Sequence, residues 1–269
     1  MLSVFALAII LIAIGMAGGF FSGMLGVGGG LIFVPALYYY FTSTGAGGDQ
    51  AMHMAVGTSL ALVMVTGATS AFWHNRRKAV DFHILKTWGP YIVAGVCCGT
   101  AFASVMSGET LKKFFAVVAV LLSVYMALSR EPKDEQPHRM APWLQKTICA
   151  LIGTVASMLG IGGAVLAIPL MTYNGVPMRT AIGTGGAFGT VIAVPGMAGY
   201  VISGLAQGGE LPSYSLGYVN LLALAVIAPL SFALSPVGVR VSHAMPKIAL
   251  RRVFALVLAL ISIRMFTQS

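Results

Sequence analysis

The sequence predicts an all-α polytopic membrane protein built from two inverted-topology repeats of about five membrane segments each. Three observations carry this prediction: the composition, the spacing of the apolar runs, and a set of motifs that occurs twice. Of the 269 residues, 58% are hydrophobic and 9% are charged, whereas a soluble domain carries about 25% charged residues. Because so few polar groups cannot cover a water-exposed surface, we expect the chain to lie in a lipid bilayer.

The formal net charge is +9, but it does not indicate nucleic-acid binding. The bases lie in short clusters between apolar runs, where membrane topology places them, and we expect no nucleic-acid partner. Cys97 and Cys98 are adjacent in one apolar run and Cys149 is alone in another, so no metal-type or redox-type spacing exists. We predict no metal site and no cofactor.

The apolar runs predict ten membrane segments, because a helix needs about 20 apolar residues to cross a bilayer. They fall at roughly 2–24, 31–41, 52–73, 88–106, 111–129, 143–159, 164–173, 180–203, 215–235 and 250–266. The first run lacks a basic leader and a small-residue cleavage motif, so we expect a membrane helix there and not a cleaved signal. All seven acids lie between runs or at their edges.

Two of the runs, 31–41 and 164–173, are too short to span a bilayer alone. Each follows a glycine cluster, and we expect each to be one half of a broken or re-entrant helix pair. The polar stretch 130–142 separates the two halves of the chain. We therefore predict a first repeat over 1–129, a cytoplasmic linker over 130–142 and a second repeat over 143–269.

Three motifs of the first half return in the same order in the second, at offsets between 126 and 139 residues. They are Met24–Gly30 with Pro35 and Met158–Ala164 with Pro169, Ala55–Thr58 and Ala181–Thr184, and Leu111–Ala116 and Leu250–Ala255. Over positions 24–37, six of fourteen residues are identical to their counterparts. Such ordered duplication indicates an internal repeat.

The Lys and Arg distribution predicts that the two repeats are inverted. The loop after run 52–73 holds four bases, Arg76, Arg77, Lys78 and Lys86, while the matching loop 204–214 holds none. Equivalent loops should then face opposite sides of the membrane, with the basic loop in the cytoplasm. Lys112 and Lys113 disagree mildly, since this topology would place them at the outer edge.

The duplicated glycines are the candidate substrate-binding residues. A chain without Cβ can break a helix and bring backbone N–H groups close to a ligand, and the helix that follows presents a positive dipole end. The alternative is that the glycines only permit close helix packing. The glycines concerned are Gly26, Gly28, Gly29 and Gly30 in the first half and Gly160, Gly162 and Gly163 in the second.

Polar side chains near these glycines extend the candidate site. Thr58, Ser59 and Thr184 carry hydroxyls that can donate to an anion, although such groups also bond their own helix carbonyls. His53 and Arg179 each precede the Ala-x-Gly-Thr sequence by two residues, and we predict that they guard opposite entrances. In that role Arg179 is always charged at the cytoplasmic entrance, whereas His53 adds positive charge at the outer entrance only below its unperturbed pKa of about 6.5. The alternative makes Arg179 a helix-end anchor and His53 a solvated loop residue.

Other function classes leave no trace in the sequence. It has no intramembrane carboxylate of the kind that cation and proton carriers use, no Gly-x-x-x-x-Gly-Lys phosphate loop, and no recognisable nucleophile motif. We therefore predict no catalytic residue and no enzymatic activity. The duplicated helix breaks favour a secondary transporter that works by alternating access.

The two glycine motifs with Pro35 and Pro169, the Ala-Val-Gly-Thr-Ser and Ala-Ile-Gly-Thr-Gly sequences, and the basic loop His74–Asp81 resemble the TauE/SafE family of sulfite and organosulfonate exporters. The resemblance covers nearly the whole chain except 130–142. It implies a secondary carrier in the inner membrane of a bacterium or archaeon, moving small sulfur oxyanions or sulfonates such as sulfite or thiosulfate. Ala164 stands where the first motif has Gly30, so the two halves differ chemically.

Several alternatives stay open at this point. The carrier could move another small anion such as a carboxylate, or the protein could be a passive anion channel. A non-transporting scaffold or sensor is disfavoured by the duplicated breaks. A homo-oligomer is compatible with the sequence.

Overall fold

The computed structural model of the chain describes residues 4–25, 28–128, 140–207, 212–244 and 247–267. These residues form ten α-helices, a short 3-10 turn at Gly48–Gln50 and a hairpin of two-residue strands, which confirms the all-α class. The helices are α1 Val4–Leu25, α2 Gly30–Thr44, α3 Ala51–Arg76, α4 Phe82–Val105, α5 Gly108–Leu128, α6 Pro142–Met158, α7 Ala164–Tyr173, α8 Met178–Ala206, α9 Leu221–Ala244 and α10 Lys247–Thr267; the strands are β1 Ser215–Leu216 and β2 Val219–Asn220.

Six stretches in the described residues are long and apolar enough to cross a membrane, which agrees with a multi-pass membrane protein. By contrast, α2 has 15 residues and α7 has 10. At a rise of 1.5 Å per residue they extend about 22 Å and about 15 Å, less than the bilayer core of about 30 Å. Neither short helix can span the membrane alone, as the sequence predicts.

Two helices do not begin where their apolar runs begin. A capping side chain explains the start of α4, and a hairpin explains the start of α9. Helix α4 begins at Phe82, six residues before run 88–106, since the Asp81 side chain accepts hydrogen bonds from the backbone N–H groups of His83 and Ile84. Helix α9 begins only at Leu221, because residues 215–220 form the β1–β2 hairpin. Apolar residues there satisfy their backbone groups in a strand pair and not in a helix.

Helices α3 and α8 cross each other at the centre of the fold and run antiparallel. At the crossing, the position a Cβ would take on Gly67 lies 3.1 Å from the backbone nitrogen of Thr190. Further along α3, Ser70 faces Gly186. The chain therefore runs in opposite directions along the two helices.

Every main helix contact has a counterpart when the two halves are exchanged. Helix α1 packs on α9 and α6 packs on α4, while α2 packs on α3 and α7 packs on α8. Helices α3 and α8 pack on each other, and so do α5 and α10, where the Ser123 hydroxyl donates to the Ala255 carbonyl over 2.8 Å. The helix packing is therefore symmetric between the two halves that the duplicated motifs define.

Glycines bring the α1–α9 and α4–α6 pairs into backbone contact. On α1, a Cβ at Gly15, Gly19 or Gly23 would overlap atoms of α9, including the Ser235 carbonyl oxygen. On α4, a Cβ at Gly95 would overlap the Ala150 carbonyl oxygen of α6. Such spacing of small residues is how membrane helices approach closely without a hydrophobic driving force between them.

We expect Gly95→Ala to lower the melting temperature of the detergent-purified protein, because the added methyl must push α4 and α6 apart. Overpacking of this kind costs about 1–3 kcal/mol. Gly89→Ala in the same helix is the matched control, since nothing lies within 4 Å of its added Cβ. Equal melting temperatures for the two variants would show that the α4–α6 contact does not limit stability.

Candidate functional site

The two glycine motifs adopt left-handed backbone that L side chains rarely tolerate. In the first motif Gly28 has φ 83° and Gly29 has φ 73°; in the second, Gly160 has φ 67° and Gly163 has φ 66°. Gly29 and Gly163, which the repeat aligns, are the N-terminal caps of α2 and α7 with nearly identical backbone angles. Gly26 lies outside the described residues.

Each cap glycine starts a half-helix. The Gly29 carbonyl accepts from the N–H groups of Ile32 and Phe33, and the Gly163 carbonyl accepts from those of Leu166 and Ala167. The first N–H groups of any helix have no intrahelical acceptor, and they form the positive end of the helix dipole. The helix breaks that the sequence predicts before α2 and α7 are therefore present in the structure.

The two motifs meet across the halves of the chain. A Cβ on Gly30 would overlap the Gly160 carbonyl oxygen, and the corresponding position on Gly28 is 4.0 Å from Cα of Gly162. Gly162 also lies beside Gly189 of α8, whose Cβ position would be 3.8 Å from the Gly162 Cα. Because the Gly30 position has no room for a Cβ, a larger residue there would separate the two turns.

The central helix α3 holds both turns at its own mid-length. The Ser59 hydroxyl donates to the Gly160 carbonyl over 2.7 Å, and the Thr66 hydroxyl donates to the Gly28 carbonyl over 3.2 Å. Val63, near the middle of α3, lies 3.4 Å from the Cβ position of Gly28. The meeting point of the motifs therefore lies near the middle of α3.

Thr58 and Thr184 make a different contact from Ser59 and Thr66. The Thr58 hydroxyl oxygen accepts a 2.9 Å hydrogen bond from the N–H of Asn220, and the Thr184 hydroxyl oxygen accepts one of equal length from the N–H of Asp81. Both threonines are fully buried. Each helix of the central pair thus binds a backbone group from the opposite half.

We name these two contacts the threonine clamps: Thr58 with Asn220, and Thr184 with Asp81. The adjoining glycines complete them, because a Cβ on Gly57 would be 2.7 Å from the Tyr218 carbonyl oxygen and one on Gly183 would overlap the Ala79 carbonyl oxygen. In the structure, each Gly-Thr pair therefore holds a backbone segment of the other half of the chain. The sequence suggested a different role, in which the threonine hydroxyls donate to an anion.

Sequence reasoning missed Asp81 and Asn220, which cap the helices that follow them. The Asn220 side-chain oxygen accepts from the N–H of Ala223 over 2.8 Å, as the Asp81 carboxylate does at α4. The two residues are separated by the offset that relates Leu111 to Leu250. Asp81 and Asn220 could have been identified from the sequence, because both are residue types that cap helices and they are related by this offset.

The structure places His53 and Arg179 at the starts of different helices. His53 is the third residue of α3 and is buried; its Nε2 is 2.9 Å from the Ala103 carbonyl oxygen. The alternative of a solvated loop histidine is therefore wrong, because residues 51–76 are helical and α4 covers the ring. Arg179, the second residue of α8, is exposed.

Comparison with known proteins gives consistent relatives. The chain is 30% identical to a probable membrane transporter protein of Haemophilus influenzae over 98% of its own length and 100% of the relative's. It is 25% identical to one from Methanocaldococcus jannaschii, covering 87% of this chain and 86% of the relative. For the probable membrane transporter protein YunE of Bacillus subtilis, identity is 21% over 97% of each chain.

No solved structure shows significant similarity to the chain. The sequence profile described as Sulfite exporter TauE/SafE matches residues 11–265. That match covers nearly the whole chain, including both glycine turns and both threonine clamps. The protein is therefore a member of the TauE/SafE family.

Proposed function

We propose that the protein is a secondary transporter of small sulfur oxyanions or sulfonates, working in the export direction by alternating access. The observation that carries the proposal is the contact between the two glycine turns that precede the half-helices α2 and α7, beside the middle of α3. Two positive helix ends facing one point from opposite halves of a chain suit a small anion that must be released to either side.

The chemistry of the surrounding groups supports an anionic substrate. Backbone N–H groups at helix ends and short hydroxyl side chains provide several hydrogen bonds to an oxyanion that has lost its water. Ser59 and Thr66 already contact the backbone of the two glycine turns and stand beside this point. The carboxylates within the described residues, Asp49, Asp81 and Glu109, lie at helix ends, where they do not repel an anion at mid-membrane.

We further propose that residues 1–129 and 143–269 are inverted repeats joined by a cytoplasmic linker. The antiparallel crossing of the equivalent helices α3 and α8, and the exchange-symmetric helix contacts, support inversion. Residues 129–139 lie outside the described part of the chain. An inner-membrane location in a bacterium or archaeon follows from the family and the basic loop.

The topology gives a direct prediction for thiol labelling in intact cells. The native Cys97 and Cys98 are exposed and Cys149 is buried, so all three are first replaced. Ser213→Cys, in the base-free loop, is expected to react with a membrane-impermeant maleimide, while Asn75→Cys is expected to react only after the cells are opened. Equal reactivity of both positions in intact cells would rule out the inverted arrangement.

We also propose that Arg179 and His53 guard opposite entrances. Each lies in the first turn of one of the two crossing helices, and these helices run antiparallel, so the two residues belong to opposite faces of the membrane. Arg179 carries a permanent positive charge. It would attract anions on the cytoplasmic side.

A thermal-shift screen of the purified protein tests the substrate class. A ligand that binds only the folded state raises its melting temperature according to concentration and affinity. Sulfite, thiosulfate, sulfoacetate and taurine are compared with sulfate and with small carboxylates at equal ionic strength. Stabilisation by a sulfur anion at the lowest concentration is expected, whereas stabilisation by carboxylates alone would assign the protein to a different substrate class.

A further inference from the structure

A cavity of about 510 Å³ opens at the end of the fold where α3 begins. Its walls come from α2, the 3-10 turn, the start of α3, the α4–α5 turn and the end of α8. Among its polar lining residues are Tyr38, Gln50, His53, Ser107, Lys112 and Gln207. The cavity is separate from the glycine turns, which lie near the middle of α3.

Lys112 is the basic residue in the wall of this cavity, which the carboxylates Asp49 and Glu109 also line. It is 6% exposed, although its neighbour Lys113 has a side chain 59% exposed. Its ammonium nitrogen lies 6.0 Å from the ring centroid of Tyr38, another lining residue. A lysine buried this deeply costs free energy unless negative charge or hydrogen-bond acceptors compensate it. From the sequence, Lys112 is expected at the outer edge of the membrane, where a basic residue does not fit the predicted topology. The structure places Lys112 inside the protein.

His53 lies in the same wall, and its two ring nitrogens differ in their contacts. Its Nε2 is bonded to the Ala103 carbonyl, while Nδ1 is buried and makes no hydrogen bond of good geometry with the described residues, although the Met106 carbonyl approaches the ring. The Nδ1 atom is 4.0 Å from the Cβ position of Gly108, so it faces the α4–α5 turn of the cavity wall. A neutral ring accepts a hydrogen bond from a ligand at Nδ1, and a protonated ring donates one.

The two carboxylates that line the cavity are exposed to solvent. Glu109 forms a 2.6 Å ion pair with Lys113, and its side chain is 60% exposed. Asp49 is exposed on the 3-10 turn. Solvent screens the charges of these two carboxylates more than it screens the charge of Lys112, so we expect Lys112 to present the least screened charge to a ligand inside the cavity.

We propose that this cavity is a second anion site, a vestibule in which Lys112 binds the anionic group of the substrate on one face of the membrane. The proposal rests on the proposed transport function and adds Lys112 as a binding residue. The Lys112 ammonium has three donors, so it can bind a ligand while it keeps contacts with the protein. Gln207 and Ser107 supply neutral polar groups to the same cavity wall.

Transport of radiolabelled sulfite into proteoliposomes of defined orientation tests the vestibule. Lys112→Gln is compared with Lys113→Gln, which removes the same charge from the adjacent, solvated position. Lys112→Gln is expected to raise KM by roughly tenfold for sulfite presented on the face where α3 begins, equivalent to about 1.4 kcal/mol of binding. KM from the opposite face should change less than about twofold, and Lys112→Arg should restore most of the loss.

If the role of Lys112 is purely structural, Lys112→Gln should change the KM for sulfite by the same factor on both faces. If Lys112→Gln is too unstable to purify, Gln50→Trp fills the cavity from its rim and should raise the same one-sided KM. Equal KM values for the Lys112 and Lys113 variants, or equal shifts on both faces, would overturn the vestibule while transport by the wild type stands. If the wild type moves no sulfite from either face and thermal shift finds no sulfur-anion ligand, the proposed function fails and the vestibule fails with it.

Discussion

Leucine in place of Gly28 or Gly162 is expected to abolish anion transport while leaving the protein in the membrane. Gly28 has φ 83°, where a residue with Cβ is strained by about 1–2 kcal/mol. Its Cβ position is only 3.4 Å from Val63 and 4.0 Å from Gly162. The rest of a leucine side chain would therefore enter the space between the two turns, where we place the ligand. Leucine favours membrane insertion, so expression should persist.

Gly89→Leu provides the control, because an added Cβ there meets nothing within 4 Å. Initial rates of radiolabelled sulfite flux are measured in proteoliposomes that contain equal amounts of each variant. Transport near the wild-type rate by Gly89→Leu and none by the two turn variants is the expected result. Normal transport by well-expressed Gly28→Leu and Gly162→Leu would remove the glycine turns from the binding site.

Thr58→Val and Thr184→Val are each expected to lower the free energy of unfolding by about 1–3 kcal/mol. Either substitution leaves a buried backbone N–H, of Asn220 or of Asp81, without its hydrogen-bond acceptor. The double variant should lose roughly the sum, because the two clamps share no partner residue. Thermal or denaturant unfolding of the purified protein measures these losses.

Serine at the same positions separates the clamp from side-chain packing. Thr58→Ser and Thr184→Ser keep the oxygen and remove one methyl group, so they should be closer to the wild type than the valine variants. If valine is tolerated as well as serine at both positions, the hydroxyl oxygens do not hold the two halves together. Sulfite flux by the serine variants then reports whether the hydroxyls also serve the substrate.

Hydropathy predicted the helices well, because a bilayer requires every spanning segment to satisfy its backbone internally and to present apolar side chains. Each of the ten apolar runs corresponds to a helix. The duplicated glycine motifs also marked the breaks before α2 and α7, since left-handed backbone at a helix start favours glycine. The hairpin at 215–220 was missed because its strands are only two residues long and join directly to the apolar helix α9.

Long-range partners could not be predicted from the sequence. Thr58 and Asn220 are 162 residues apart, and a threonine in an apolar helix more often bonds its own i−4 carbonyl. Likewise, Lys112 and Lys113 are indistinguishable in the sequence, yet α5 turns one toward the cavity and the other toward Glu109. The partner of Thr58 and the different positions of the two lysines depend on how the ten helices pack. The local sequence around each residue does not determine that packing.

Counterflow tests the central claim, alternating access of one anion site to both faces, most directly. Proteoliposomes loaded with unlabelled sulfite are diluted into a trace of radiolabelled sulfite, and the label inside is followed with time. A carrier that exchanges one bound anion per cycle should accumulate label transiently above its equilibrium level, and Gly28→Leu should abolish this overshoot. A monotonic, non-saturating approach to equilibrium in the wild type would instead indicate a passive channel and contradict alternating access.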